Sequence, residues 1–223
     1  FFGMGLNMIT ALNGLYNSTP INSAIITTLA PIFIFIISVF LLKEKITKIK
    51  YLGVFIGFIG TLTLILLNEK SIANAPNINL GNFYFFINSL SYAIYFVLVK
   101  PLTKKYSMIT IMKWLFLFSI IINMPFGLLE FTEINWAEIS RNSLIKISYV
   151  VFCTTFLVYL LNLYALKNLK ASTVGMFIYL QPVIGILFAI YRGADKLTIA
   201  DISSVIMVFA GVYLVSKRST QIT

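Results

Sequence analysis

The sequence predicts an all-helical protein embedded in a lipid bilayer, and three observations carry that expectation. Hydrophobic residues fill 59% of the 223 positions and charged residues only 11%, against about a quarter charged in a soluble domain. The mean hydropathy is +0.94. The apolar residues also form continuous runs of roughly 17 residues or more, the least that can cross a bilayer as a helix, whereas a membrane barrel would alternate over about ten.

Eight spans are expected, at 1–17, 20–42, 51–67, 82–99, 109–129, 147–166, 171–191 and 199–216. Their orientation follows from lysine and arginine in the short loops, which collect on the cytoplasmic side. Lys43, Lys45, Lys48, Lys50, Lys100, Lys104, Lys105, Lys167, Lys170, Lys217 and Arg218 share one side, eleven in all, against five on the other. Every acid except Glu44 lies on the poorer side. The lysine-rich side is therefore read as cytoplasmic, with both ends of this chain facing it.

Composition excludes several classes. The net charge of +10 sits in short clusters between apolar runs, and no basic face with stacking aromatics can be built from it, so nucleic acid is not an expected partner. With no His and one Cys, an internal disulfide and the usual His/Cys metal sites are ruled out. No cofactor is expected. Cys153 falls inside a span, where a free cysteine serves as a small packing residue.

The second and seventh spans are related. Thr19 to Thr47 carries Pro31 near its middle, and Lys170 to Thr198 carries Pro182. Pro31 to Pro182, Lys45 to Lys196, Thr47 to Thr198 and Gly60 to Gly211 are each separated by 151 residues. Aligning 13–65 with 164–216 at that offset gives nine identities in 53 positions without a gap. Spans five apart cross in opposite directions, so the repeat is an inverted unit of five helices. Residues 1–67 read as the last three helices of the first unit, 68–81 as a polar linker with Asn, Pro and Gly, and 82–218 as the second unit. Phe1 opens inside an apolar run without a basic leader. The offset carries the start of the first unit to roughly 70 residues earlier, room for two more spans of about 20. The expectation is thus eight helices of a ten-helix, two-unit inverted-repeat fold.

Paired, proline-broken spans in two halves are the best sequence pointer to a transporter's binding site. A proline within a helix removes the hydrogen bond to the carbonyl four residues back, here those of Thr27 and Ile178. In hydrocarbon such a carbonyl must face protein or a watery cavity. Pro31 and Pro182 are accordingly read as hinges, with a packing kink as the alternative. Polar side chains inside the spans supply candidate substrate contacts: Asn13, Thr28, Asn88, Tyr92, Tyr95, Thr155, Tyr159, Tyr179 and Gln181. Asn88, Tyr92 and Tyr95 share a helical face, as do Thr155, Tyr159 and Asn162; hydrogen bonds between helices are the plainer reading. No acidic residue lies within a span, so an intramembrane carboxylate relay is not expected from these eight helices. Gly53, Gly57 and Gly60 give the third span a small face, read as packing within its unit or as a homodimer contact.

These residues resemble the EamA-like branch of the drug/metabolite transporter superfamily. Each unit of that family ends in Ala-Leu, a stretch of small residues, a mid-helix Pro, a Leu-x-Gly-Glu-x-Leu-Thr exit and a Gly-containing last helix. The second unit here has Tyr164-Ala165-Leu166, Ala171-Ser172, Pro182, Leu197-Thr198 and Gly211. The first has Gly14-Leu15, Pro31, Leu41 to Thr47, Gly53, Gly57 and Gly60. Gln181 stands where the family often has Glu, Asp195 where the exit has Glu, and Tyr92 where Trp is common. The resemblance implies a multi-pass protein of the bacterial inner membrane, exporting small metabolites such as amino acids by alternating access around an uncharged polar and aromatic cavity. The alternative is a membrane-embedded enzyme or accessory subunit handling lipid-linked substrates, for which Glu130, Glu133 and Glu138 near Arg141 are the available polar cluster.

Overall fold

The computed structural model describes residues 1–18, 20–44, 47–67, 76–135, 138–191 and 199–216. Lys45, Lys70, Trp136, Arg192, Asp195, Lys196, Thr198, Lys217, Arg218 and most of the 68–81 linker fall outside the described residues. Every regular element among the described residues is helical. In order they are α1 (Gly5–Asn17), α2 (Pro20–Thr27), α3 (Leu29–Leu42), α4 (Lys48–Leu67), α5 (Ile78–Lys105) and α6 (Met108–Glu133). They continue with α7 (Arg141–Tyr149), α8 (Val158–Asn168), α9 (Ala171–Met176), α10 (Leu180–Tyr191) and α11 (Ile199–Ser216). A π-helical stretch, Val150–Leu157, joins α7 to α8, and a 3₁₀ turn, Phe177–Tyr179, joins α9 to α10.

Helix ends follow local chemistry. The Asn77 side chain accepts from the Leu80 N–H and starts α5 four residues before the apolar run at 82. Ser107 and Ser140 cap α6 and α7 in the same way, accepting from Thr110 and Ser143. These caps satisfy amide groups that a helix start leaves without partners. They also explain why α5, α6 and α7 begin earlier than the apolar runs suggest. By length and apolarity, four described stretches suffice to cross a membrane: 22–42, 78–105, 108–128 and 141–168. The helical stretches 171–184 and 202–216 are apolar but shorter. α6 and the 141–168 stretch turn Ile120, Ile121, Phe126, Val151 and Phe152 outward, the surface expected against lipid tails.

Both proline-bearing spans are interrupted, and at matching positions. The first breaks at Thr28, between α2 and α3. The second ends its 3₁₀ turn at Tyr179, 151 residues later. Each break falls three residues before its proline, next to the carbonyl that the proline cannot bond.

α5 runs through the centre, touched by α1, α2, α3, α6, α8 and α9. Ala93, Phe96 and Val97 from α5 form a buried core with Ile34, Leu163, Leu166 and Ala171. A second core joins Phe35 and Val54 to Tyr179, Val183, Val208 and Val212. The glycine face of α4 packs along α11. A Cβ on Gly211 would lie 2.6 Å from the Gly53 carbonyl oxygen, and one on Gly53 would lie 2.9 Å from that of Gly211. The small residues therefore let the backbones of α4 and α11 touch. The face read as a dimer contact is already covered.

Candidate functional site

The two helix breaks meet around a cavity of about 280 Å³. Ser23, Ala24, Thr27 and Thr28 line it from the first break, and Ile178, Tyr179, Gln181 and Pro182 from the second. Thr61 of α4 completes the lining. Every one of these nine side chains is uncharged. Thr61 is fully buried and Tyr179 only 1% exposed, and neither hydroxyl has a hydrogen-bond partner among the described residues. Burying a hydroxyl without a partner costs about 1–3 kcal/mol. Both residues border the same cavity, Thr61 from α4 and Tyr179 from the second break.

The broken backbone is treated differently in the two halves. Thr27 turns its hydroxyl back on the Ser23 and Ala24 carbonyls, at 2.8 and 3.1 Å. Ser89 of α5 reaches the Ile26 carbonyl at 3.3 Å. The Leu180 N–H is directed at the carbonyl of Phe177, its 3₁₀ partner, and also toward that of Ile178.

The candidate residues divide into separate places. Thr28, Tyr179 and Gln181 line the cavity. Tyr92, Tyr95 and Tyr159 form an aromatic cluster, with ring centroids 6.2 Å apart for Tyr92–Tyr95 and 5.8 Å for Tyr95–Tyr159. Asn162 donates to the Tyr92 hydroxyl at 3.2 Å, and the Tyr159 hydroxyl donates to the Gly3 carbonyl. Tyr95 borders a larger apolar cavity of about 490 Å³ with Phe2, Trp114 and Phe118. Asn88 and Asn7 each donate a side-chain amide to the other's carbonyl, at 2.7 and 3.1 Å, tying α5 to α1. Thr155 donates to the Val150 carbonyl inside the π-helical stretch. Asn13 is exposed and donates to the Ile9 carbonyl of its own helix. Ser23 and Thr61 escaped the sequence reading. Ser23 stands one helical turn before Thr27, which could have found it. Thr61 has Val212 as its repeat mate, so no symmetry pointed to it.

At the lysine-rich end the same two spans close on each other. α3 packs against α9, with Ile34 so close that a Cβ on Gly175 would meet it at 3.0 Å. α3 is capped by Lys43, which takes the left-handed conformation at φ 51°, rare outside glycine. Lys43 occupies the glycine position of the exit pattern. This turn aims Glu44 across to the other half. Its carboxylate accepts from the Ala171 N–H at 3.0 Å and from the Ser172 hydroxyl at 2.5 Å. Lys100 donates to the carbonyls of Leu166 and Leu169 at the end of α8. An acid thus meets a helix start and a base a helix end, the pairing that backbone dipoles favour. Lys50 is buried beside them. Burial pushes its ammonium below the ordinary lysine range, Lys170 pushes the same way, and Glu44 opposes.

The sequence profile of the EamA-like transporter family matches residues 1–66 and 79–217. The chain belongs to the EamA-like transporter family. It is a multi-pass membrane transporter, and the reading as a lipid-handling enzyme is set aside. Among its relatives, an uncharacterized transporter of Archaeoglobus fulgidus is 29% identical over 218 residues, covering 97% of this chain and 75% of the relative. The uncharacterized transporter YetK of Bacillus subtilis is 25% identical over 189 residues, covering 85% of this chain and 57% of its own length. YyaM of the same organism is 24% identical over 213 residues, covering 93% and 70%. In fold, the chain is similar to a protein of solved crystal structure at a TM-score of 0.78 and 14% identity, over 94% of this chain and 71% of the other.

Proposed function

We propose that this EamA-like protein exports small uncharged or zwitterionic metabolites, such as amino acids and related compounds, across the bacterial inner membrane. The solute occupies the cavity between the breaks at Thr28 and Tyr179, reached from alternate sides as the two halves rock. The observation that carries this reading is the uncharged, polar lining that the two helix breaks share, with the unpartnered Thr61 and Tyr179 hydroxyls beside it. A site without acid or base in its walls holds neutral or internally balanced solutes better than ions, because a buried unpaired charge is expensive. Thr28 and Gln181 supply further polar contacts, and Pro31 and Pro182 keep the two breaks in place as hinges.

The architecture we infer is eight spans of a ten-helix inverted repeat, with residues 1–67 and 82–218 in separate units and the lysine-rich end in the cytoplasm. It is supported by the common 151-residue offset of both prolines and both breaks and by the charge asymmetry of the loops. Counterflow in proteoliposomes of the intact protein tests the function. Saturable flux of neutral, amino-acid-sized solutes, competed by one another and not by strong anions, is the expected result. An absence of saturable flux across a broad metabolite panel would overturn the proposal.

A further inference from the structure

Resting on the reading of the cavity between the breaks as the solute site, we propose that Glu44 is the gate residue for its lysine-rich end. Glu44 comes from the exit of the first broken span, yet both carboxylate oxygens are used on the start of the second, 127 and 128 residues away. The contact can hold only while α3 and α9 are together. Separating them would strand a carboxylate that now has two donors, and leave the Ala171 N–H and the Ser172 hydroxyl without their acceptor. Charge-assisted bonds of this kind are the strong ones. The left-handed backbone at Lys43 supports a dedicated role, because a lysine there holds an unfavourable conformation that delivers Glu44 to its partners.

The gate is one-sided, and the sequence shows why. The 151-residue offset places Asp195 at the register of Glu44, and Pro20 and Ile21 at those of Ala171 and Ser172. Proline has no N–H and isoleucine no hydroxyl. Both donors that receive Glu44 are therefore missing from the corresponding start of α2. In sequence the acid is kept in type at that register, but the receiving groups are not. It follows that the protein rests with the lysine-rich end shut and the cavity accessible from the other, and that breaking the Glu44 contact is a step of every transport cycle.

The test is accessibility of a cysteine placed on the cavity wall, Gln181→Cys in a Cys153→Ala background of the intact protein. A membrane-impermeant thiol reagent is presented separately to each face in right-side-out and inverted vesicles. With Glu44 in place, labelling should be at least about tenfold faster from the face opposite the lysines, as expected from charge-assisted closure. Adding Glu44→Ala should raise labelling from the lysine-rich face at least about fivefold, with a smaller rise for Ser172→Ala, which spares the backbone bond. Equal labelling from both faces before any change at Glu44 would overturn the gate. So would a lysine-face rate within about twofold of the starting one in folded, membrane-inserted Glu44→Ala and Ser172→Ala proteins. Labelling from neither face would overturn the cavity reading itself, a failure distinguishable from that of the gate.

Discussion

The two broken helices are packed differently along their crossing, tightly toward the lysine-rich end and around a cavity at the breaks. At the lysine-rich end, α3 and α9 touch, Ile34 fills the space against Gly175, and Glu44 ties one half to the other. At the breaks, Ser23, Ala24 and Thr27 instead line a cavity together with Tyr179, Gln181 and Pro182. The lesson is that similar backbones need not have similar contacts. Gly175 and Ala24 are repeat mates, yet one is a packing surface and the other a cavity wall. A transporter that alternates between two closures needs this kind of inequality at any one moment, since a molecule sealed or open at both ends moves nothing in a controlled way.

The largest expected effect comes from wedging the packed end. Gly175→Leu should lower stability by about 3 kcal/mol, because new methylenes would press on fully buried Ile34; thermal unfolding in detergent measures it. The matching change on the other side, Ala24→Leu, should move stability by less than about 1 kcal/mol and instead fill the cavity, cutting transport about tenfold or more. Equal destabilisation by both would erase the contrast between the ends. A control away from either end is Asn88→Ala, which removes the amide exchange with Asn7. It should lower stability by about 1–2 kcal/mol and leave the relative transport rates of competing solutes unchanged. The smallest effect sharpens the packed end alone: Lys43→Gly should raise stability by about 1 kcal/mol, because glycine adopts the left-handed turn without strain. A loss of stability in that variant would show that the lysine side chain, and not only the turn, matters there.

Much of this arrangement was legible in the sequence, for physical reasons that can be named. Pro31 and Pro182 each remove one helical hydrogen bond and so mark where the breaks at Thr28 and Phe177–Tyr179 can fall, although Pro101 and Pro125 sit inside unbroken α5 and α6. Apolar run lengths and the serine and asparagine caps are equally local. What could not be read was anything that depends on which helices come together. The reach of Glu44 to Ala171 spans most of the chain. The glycines of α4 announced close packing but not that α11 would be the partner. The tyrosines of α5 and α8 pack against one another in an aromatic cluster apart from the break-lined cavity. Thr61 had no signal, since a single threonine in an apolar helix becomes notable only once its burial and lack of a partner are known.

The cavity between the breaks and the aromatic cluster each contain a buried tyrosine hydroxyl without a partner among the described residues, Tyr179 in one and Tyr95 in the other. This allows one direct measurement of the central claim, solute counterflow by a Thr61→Val, Tyr179→Phe double variant beside Tyr95→Phe, with the melting temperature of each. Removing hydroxyls that lack protein partners should leave both proteins at least as stable as the parent. The cavity variant should nevertheless lose about tenfold or more in transport, since a site that hydrogen-bonds its solute is penalised when those groups go, while Tyr95→Phe should transport normally. Full transport by the double variant, with loss in Tyr95→Phe, would place the solute in the aromatic cluster and contradict the account.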